Sequence, residues 1–284
     1  MIFKRSFSIL GYPDDEGVKL NRGRVGAANA PDEIRKFFYK MTPPLSQDRS
    51  LQDLGNLQIQ NFDLKNRHQE ASLLVTKALK TSKLITFGGG HDYGYPDGAG
   101  FLEFLKNKKG PKPLVINFDA HLDVRPLDKG ITSGTPFFRL LHDYDSQFDF
   151  VEVGLQPQCN STTHLKWAKE KKARALFMQD IRNKGLLTAL KAQLPKVRGP
   201  LFLSLDIDVF TSAEAPGCSQ SWPTGLSVAE FWPAYQWLLK NYDTPLLSIY
   251  EVSPALDVDS RTSKLAACIA YEYLFTDVLT GRKK

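Results

Sequence analysis

The chain has 284 residues, 42% of them hydrophobic, and carries a formal net charge of +6. These values are typical of a globular protein with a large core, and they exclude a disordered chain and a small disulfide-rich domain. The three cysteines, Cys159, Cys218 and Cys268, form no CxxC pair, which argues against a zinc ribbon or a disulfide framework. The basic residues are spread along the chain, so they indicate a solvated surface more than a nucleic-acid-binding patch.

Six short apolar runs are predicted to form strands. In chain order they are FSILGY at 7–12, KLITFGGG at 83–90, PLVINFDA at 113–120, FVEVGLQ at 150–156, LFLSLDIDV at 201–209 and LLSIYEVS at 246–253. Helical periodicity over residues 66–80 places a helix between two of them. A capping box from Ser227 to Glu230 opens another helix towards Leu239, and Asn160 or Ser161 could cap a third.

Strands that alternate with helices predict an α/β fold with a mostly parallel sheet. No linker or repeat interrupts the alternation, so residues 1–284 are expected to form a single domain. The N-terminal segment lacks the apolar region of a signal peptide, and nowhere do about 18 apolar residues run together. We therefore expect a cytoplasmic protein that does not partner a membrane.

Ionisable residues gather where predicted strands end, at the edge where open α/β sheets bind ligands. The residues concerned are His91, Asp119, His121, Asp123, Asp206 and Asp208. Asp119, His121 and Asp123 are two residues apart, so a strand that alternates sides would point all three the same way. The other histidines, His68, His142 and His164, have no comparable partners nearby in sequence and are expected on the surface.

Buried carboxylates a few ångströms apart resist ionising together, so this set requires a cation. Taken alone, Asp206 and Asp208 could cap a loop and His91 could be a turn histidine. Jointly, four carboxylates with two imidazoles and no thiolate favour manganese over a structural zinc. The ligands outnumber the needs of one ion and indicate two ions about 3.5 to 4 Å apart, a pair that makes a water-derived nucleophile at neutral pH.

Four motifs resemble, in this order, those of the ureohydrolase superfamily, which includes arginase, agmatinase and formimidoylglutamase: GGGHD at 88–92, DAHLD at 119–123, SLDIDVF at 204–210 and YEVSP at 250–254. Residues 11–35 also resemble that family's N-terminal signature. The resemblance implies a three-layer α/β/α arginase-like fold, with a mostly parallel sheet of about eight strands and two Mn²⁺ ions. It implies that one ion is held by His91, Asp119, Asp123 and Asp206, and the other by Asp119, His121, Asp206 and Asp208.

Within the superfamily, four stretches resemble the formimidoylglutamase branch: DEGVKLNRGRVGA at 15–27, SGTPF at 133–137, GLQPQCN at 154–160 and LDVDSRTSKLAA at 256–267. Ser133 and Gly134 stand where arginases and agmatinases are expected to carry a His-Gly pair, so their proton-shuttle histidine is absent. The resemblance implies hydrolysis of N-formimidoyl-L-glutamate to L-glutamate and formamide, a step of histidine degradation.

The expected reaction also needs groups that bind the substrate and move its protons, and residues around the metals are candidates for these roles. Asp123 is expected to pass a proton to the departing nitrogen, and Glu251 to hold the cationic amidine. Arg125 and Ser133 are expected to bind the substrate, Arg125 through a carboxylate. Weaker candidates for the same task are Arg22, Arg24 and Arg261.

Three other functions stay open at this point. An amidinohydrolase acting on agmatine or another guanidino compound would release urea, and a dinuclear phosphoesterase would cleave phosphate esters. A non-catalytic nucleic-acid-binding or scaffold protein would keep the fold without the chemistry, although basic residues here are not interleaved with aromatic ones. We expect a small-molecule substrate and no nucleic acid, and a homo-oligomer is compatible with the resemblance.

Overall fold

The computed structural model describes residues 5–44, 49–59 and 63–279. Eight strands in this part form one sheet: β1 (Arg5–Gly11), β2 (Arg49–Asn56), β3 (Lys83–Phe87), β4 (Leu114–Phe118), β5 (Asp149–Leu155), β6 (Arg174–Phe177), β7 (Leu201–Asp206) and β8 (Leu246–Tyr250). The strand order is β2-β1-β3-β8-β7-β4-β5-β6, and every neighbouring pair is parallel. The predicted α/β fold with an eight-stranded parallel sheet is confirmed.

The helices of the described residues cover both faces of the sheet. They are α1 (Glu16–Leu20), α2 (Ala30–Phe38), α3 (Leu64–Ala78), α4 (Gly94–Leu105), α5 (Pro136–Asp143), α6 (Thr162–Glu170), α7 (Met178–Lys184), α8 (Leu186–Gln193), α9 (Val228–Asn241) and α10 (Arg261–Leu279). One apolar core joins the sheet to α2 and α7–α10, and a second joins it to α3–α6. Two cores on opposite faces of one sheet make the three layers of an α/β/α fold.

Two strands, β2 and β6, were not among the six apolar runs. Both lie at the edges of the sheet, and β2 is largely exposed along its sequence RSLQDLGN. An edge strand has a neighbour on one side only and tolerates polar residues, so a search for apolar runs does not find it. The six predicted strands are the six interior ones, which are buried by helices on both faces.

The predicted helix boundaries follow the capping residues. Ser227 Oγ accepts a hydrogen bond from the Glu230 backbone N–H, and the Glu230 carboxylate accepts one from the Ser227 backbone N–H, so the capping box at the start of α9 is confirmed. Of the two candidates for α6, Ser161 is the cap, whereas the Asn160 side chain bonds Ala120 and Leu122 in the loop after β4.

The glycine run after β3 packs against neighbouring chain segments. A Cβ on Gly89 would lie 1.8 Å from the carbonyl oxygen of Asp14, and one on Gly88 would lie 2.2 Å from the Tyr250 ring. The run therefore lets the loops after β1, β3 and β8 meet closely at the carboxyl edge of the sheet. Among the described residues, no helix is both long and apolar enough to cross a membrane.

Candidate metal centre

The half-buried Asp123 and two buried aspartates, Asp119 and Asp206, meet around one nitrogen of the buried His91 at the carboxyl edge of the sheet. Nδ1 of His91 lies 3.1 Å from Asp119 Oδ2, 3.0 Å from Asp123 Oδ2 and 3.1 Å from Asp206 Oδ2. A single N–H can point at one oxygen only, and within the described residues this nitrogen has no well-aligned hydrogen-bond partner. One nitrogen and three carboxylate oxygens around a common centre fit a bound cation.

A second group shares one residue with the first. Nδ1 of His121 lies 3.0 Å from Asp208 Oδ2 and 3.4 Å from Asp119 Oδ1. Asp119 thus offers one carboxylate oxygen to each group, which is the arrangement of a ligand that bridges two ions. Asp206 stands in the first group alone, and its Oδ1 accepts the Asp208 backbone N–H at 2.8 Å. A second contact of Asp206, to the other ion, stays a prediction.

The three ligands after β4 converge through a loop. The sequence had suggested that strand alternation extends through Asp119, His121 and Asp123. β4 ends at Phe118, however, so these three residues belong to the loop that follows it. Asp123 instead adopts a left-handed backbone with φ of +49°, a strained conformation for this residue type. Its carbonyl oxygen accepts the Phe137 N–H at 3.1 Å, which ties the loop to the start of α5.

The electrostatics of the cluster call for a positive charge. Burial raises the pKa of Asp206 well above its usual range, and the neighbouring Asp208 and Asp119 raise it further. Burial and the Asp119 charge raise the pKa of Asp208 to about 6, although His121 opposes them. Burial lowers the pKa of His91, but the three carboxylates around its Nδ1 outweigh burial and leave the pKa well above its ordinary value. A proton or a metal ion must therefore offset these carboxylates.

Glu251 lies beside the first group at the end of β8. Its Oε1 accepts the His91 backbone N–H at 3.0 Å, and its backbone has a left-handed φ of +63°. Burial raises the pKa of this carboxyl group to about 8. His91 also stacks on Tyr250, with 4.7 Å between ring centroids, so two consecutive residues at the end of β8 contact the backbone and the imidazole of His91.

A cavity of about 270 Å³ opens onto the cluster. Its wall includes metal-group side chains and residues from the loops around them: His121, Asp123, Asp206, Asp208, Glu251, Arg125, Ser133, Asn21, Gln158, Cys159 and Trp222. The main catalytic, substrate-binding and metal residues expected from the sequence all line this cavity except His91 and Asp119, whereas the weaker candidates Arg22, Arg24 and Arg261 are not among its lining residues. His91 and Asp119 are buried beneath it.

The two predicted substrate-binding residues lie near each other at the rim. The exposed Arg125 side chain crosses over Gly134, where a Cβ would lie 2.7 Å from Arg125 Cδ. Ser133 Oγ accepts a hydrogen bond from Asn21 Nδ2 at 3.1 Å. Arg125 also lines an adjoining cavity, together with Arg22.

Two of the weaker arginine candidates hold backbone instead. Arg24 donates to the carbonyl oxygens of Cys218 and Ser219, and Arg261 donates to that of Ala213. These contacts fasten loops to one another, so neither guanidinium is directed towards the cavity as a carboxylate ligand would be.

The sequence had suggested that His68 lies on the surface, but the structure shows it buried. It is 1% exposed, and its ring bonds Asp92 Oδ2 and Arg139 Nη1, each at 2.8 Å. Its partners lie 24 and 71 residues away in the chain, so no local pattern indicates them. His142 is exposed, in agreement with the expectation, and His164 is half-buried.

Several cavity residues were assigned no role from the sequence. Trp222 and Cys159 come from loops that precede α9 and α6, and their approach to the metal groups depends on the fold of those loops. Asn21 and Cys159 belong to stretches, at 15–27 and 154–160, that resembled the formimidoylglutamase branch, and this resemblance is the signal that pointed to them. Asn117, the penultimate residue of β4, donates to Asp119 Oδ2 at 3.2 Å.

Fold and cluster together define an α/β/α protein with a candidate two-metal centre at the carboxyl edge of a parallel sheet. Residues 5–276 match the arginase family. The chain belongs to that family. A formimidoylglutamase of Clostridium tetani is 30% identical over 282 residues, covering 96% of this chain and 83% of the relative. One of Staphylococcus haemolyticus is 32% identical over 275 residues, covering 95% and 86%.

Solved structures agree with the sequence relatives. The Trypanosoma cruzi formiminoglutamase with Mn²⁺ superposes with a TM-score of 0.85 at 27% identity, covering 96% of this chain and 93% of the other. Formimidoylglutamase from Bacillus subtilis gives a TM-score of 0.84 at 27% identity, covering 96% and 87%. Proclavaminate amidino hydrolase from Streptomyces clavuligerus has the same fold, with a TM-score of 0.80 at 24% identity.

Proposed function

We propose that this chain is a hydrolase that cleaves N-formimidoyl-L-glutamate into L-glutamate and formamide, in the degradation of histidine. The observation that carries the proposal is the cluster in which His91, His121 and four aspartates form two adjoining groups through Asp119. The formimidoylglutamase relatives, which span nearly the whole chain, support the substrate. We further propose that residues 1–284 form one catalytic domain and that the protein works in the cytoplasm.

Two Mn²⁺ ions suit the donor set, which holds carboxylate oxygens and imidazole nitrogens in two groups. We assign the first ion to His91, Asp119, Asp123 and Asp206. We assign the second to Asp119, His121 and Asp208, with Asp206 as a further ligand. When bound, such a pair supplies a water-derived nucleophile at neutral pH and polarises the group under attack.

The chain's own residues orient the substrate and move its protons. Glu251 lies on the cavity wall next to His91 and is assigned to hold the amidine by a charge-assisted hydrogen bond. Asp123 is assigned to pass a proton to the departing glutamate nitrogen, since it lines the same cavity. The left-handed backbone of both residues keeps their carboxyl groups in place before substrate arrives.

Arg125 is assigned to bind a substrate carboxylate, because its guanidinium lies at the cavity rim over Gly134. Ser133 lies beside it and is assigned to a hydrogen bond with the same end of the substrate.

A guanidino-compound amidinohydrolase, such as an agmatinase, is the second candidate. The likeness to proclavaminate amidino hydrolase shows that this fold by itself does not separate the two reactions. Ser133 favours the first candidate, because it stands where the sequence comparison expects the shuttle histidine of agmatinases. A cationic rim at Arg125 also opposes binding of agmatine, whose far end carries a positive charge.

The test is release of formamide and glutamate from N-formimidoyl-L-glutamate by manganese-loaded protein. Turnover is expected from the wild type and from Asp145→Ala, in which an exposed aspartate is changed, whereas Asp119→Ala is expected to lose it. Urea release from a panel of guanidino compounds, without formamide release, would replace the first candidate by the second. Salt-sensitive DNA binding without any hydrolysis would instead favour a non-catalytic protein.

A further inference from the structure

Beneath the metal groups, five adjacent strands each place a polar side chain at the same level of the sheet. The register pairs them in turn across the sheet, and all five are buried: Thr86, Ser248, Ser204, Asn117 and Glu152. Two residues earlier on each strand, the side chain on the same face is apolar and belongs to the core under α3–α6. We call these five residues the polar row; it separates that core from the metal groups.

Two members of the polar row contact proposed metal ligands. Ser204 Oγ lies 3.1 Å from Nε2 of His91, and Asn117 Nδ2 donates to Asp119 Oδ2 at 3.2 Å. Asp119 is the residue that serves both groups, so the orientation of its carboxylate matters to both ions. Groups that orient metal ligands in this way commonly tune metal affinity.

Glu152, at the end of the polar row, has no use in the proposed reaction. It is fully buried, and within the described part of the chain neither of its carboxylate oxygens has a hydrogen-bond partner. Asn117 is its register partner on β4, and the Oδ1 atom of that amide is equally without a partner there. Adjacent strands lie about 4.8 Å apart, so the Asn117 and Glu152 side chains are neighbours across β4 and β5.

The charge on Asp119 determines which way the Asn117 amide must point. A carboxylate only accepts hydrogen bonds, so Nδ2 is the atom of the amide that contacts Asp119, and Oδ1 still needs a donor. An ionised Glu152 has no donor to offer. Burial raises the pKa of Glu152 well above its ordinary value and the charges of Asp119 and Asp123 raise it further, whereas His91 and the Asn117 amide oppose them only in part.

We propose that Glu152 is a positioning residue of the metal centre: as a neutral carboxylic acid it donates a hydrogen bond to Asn117 Oδ1 and so keeps Nδ2 of the same amide on Asp119. The inference rests on the two-manganese site proposed above. One O–H supplies the donor that Oδ1 lacks and removes an isolated negative charge from the core. The chain Glu152 to Asn117 to Asp119 thus connects the end of the polar row to the bridging ligand.

Manganese titration calorimetry on three proteins tests this role. Glu152→Gln keeps a donor of the same shape and is expected to bind Mn²⁺ as the wild type does. Glu152→Met keeps the volume without a donor and is expected to bind about 10- to 100-fold more weakly. Thermal unfolding of the metal-free proteins shows whether each variant is folded.

A double-mutant cycle tests the path through Asn117. Asn117→Leu is expected to weaken Mn²⁺ binding as much as Glu152→Met does. The double variant is expected to be no weaker than Asn117→Leu alone, because both changes remove the same hydrogen-bond chain. Additive losses would mean that Glu152 acts on the ions by another route and would overturn the proposal.

Infrared difference spectra of the metal-free proteins supply a readout that needs no metal and no folded Glu152→Met protein. Wild type minus Glu152→Gln is expected to show the carbonyl band of one protonated carboxylic acid. If this band were absent, Glu152 would be ionised and the proposal would be overturned. The same conclusion would follow if Glu152→Gln bound Mn²⁺ as weakly as Glu152→Met does. Wild-type affinity in Glu152→Met would overturn it as well. Unchanged binding in Asp119→Ala would instead contradict the metal site, while the infrared band would still test Glu152.

Discussion

At the scale of single residues, the site depends on side chains that each make two contacts at the same time. Asp119 gives one oxygen to each metal group, and Glu251 holds the His91 backbone with one oxygen while its side chain lines the cavity. Left-handed backbone at Asp123 and Glu251 costs about 1 to 3 kcal/mol each, which the surrounding hydrogen bonds offset. Strain of this kind is concentrated where side chains must be aimed before the ligand binds.

Arg125 provides the sharpest test of substrate recognition. Arg125→Ala should raise the KM for N-formimidoyl-L-glutamate by about 10-fold or more and leave kcat nearly unchanged, because a remote carboxylate contact is equally strong in ground and transition states. Arg125→Lys should recover part of the loss, since an ammonium keeps the charge without the bidentate geometry. Steady-state kinetics measure both, with the exposed Lys80→Ala as control. A KM equal to that of the wild type would remove Arg125 from the site.

At the scale of elements, local signals determine where helices begin and long-range contacts determine which edge strands form. α9 begins at a complete capping box, whereas β2 has little apolar sequence and pairs with β1 along one side. Arg35 of α2 holds β2 through Asp53, with Nε and Nη2 at 2.9 and 3.0 Å from its two oxygens. The ion pair between α2 and β2 therefore helps to stabilise a strand that has few apolar residues of its own to bury.

The capping box predicts a defined loss of stability. Ser227→Ala should lower the free energy of unfolding by about 1 kcal/mol, because it leaves the Glu230 N–H at the start of α9 without its acceptor. Urea denaturation at constant m-value measures the change. Thr163→Ala, at an exposed position inside α6, is the control and should change stability little. Equal effects of the two substitutions would contradict a capping role.

The Asp53 carboxylate is expected to make a pH-dependent contribution to the free energy of unfolding. Burial alone would raise its pKa, but hydrogen bonds from Tyr39 and Arg35 outweigh burial and leave the pKa below the ordinary 3.8. A lowered carboxyl pKa in the folded state gives stability above pH 3.8, and that stability is lost as the pH falls through the folded-state value. Asp53→Asn should therefore lower the free energy of unfolding by about 0.5 kcal/mol at neutral pH, and by less as the pH falls towards the folded-state pKa of Asp53.

Urea unfolding of wild type and Asp53→Asn across this pH range measures the effect. Asp145→Asn, at an exposed position on another surface, serves as the control for a general loss of negative charge. A stability difference between wild type and Asp53→Asn that stays constant with pH would show that the variant acts through packing alone.

At the scale of the whole molecule, the metal groups join chain segments that are far apart in sequence. Their ligands come from the loops after β3 and β4 and from the end of β7, and Glu251 directly follows β8, so the site exists only when the centre of the sheet is assembled. The same carboxylates repel one another without a cation. Metal binding and folding are therefore coupled.

Removal of metal should lower thermal stability. At Mn²⁺ concentrations about 100 times the dissociation constant, binding to the folded state alone contributes about 2.7 kcal/mol, or roughly 5 °C in Tm for a chain of this size. Differential scanning calorimetry with chelator, and again after adding Mn²⁺, should show a reversible shift. Asp119→Ala should show no such shift. A wild-type Tm that does not respond to Mn²⁺ would contradict metal binding by the folded cluster.

The sequence by itself determined the fold class, the six interior strands and the residue types of the site. Apolar periodicity and short ligand motifs are local properties, so they can be read without knowing what lies next to them. Recognition of the family also came from these motifs, and the match over residues 5–276 confirms it.

Only the tertiary structure decided which contacts those residues make and which of them serve both metal groups. The loop after β4 aims its three ligands, Asp119 faces both groups, and Arg24 holds backbone instead of facing the cavity. The edge strands and the pairing of Asn117 with Glu152 depend equally on sheet register. The physical reason is distance along the chain: these contacts join segments tens of residues apart, whose meeting is determined by packing of the whole sheet and by no local propensity.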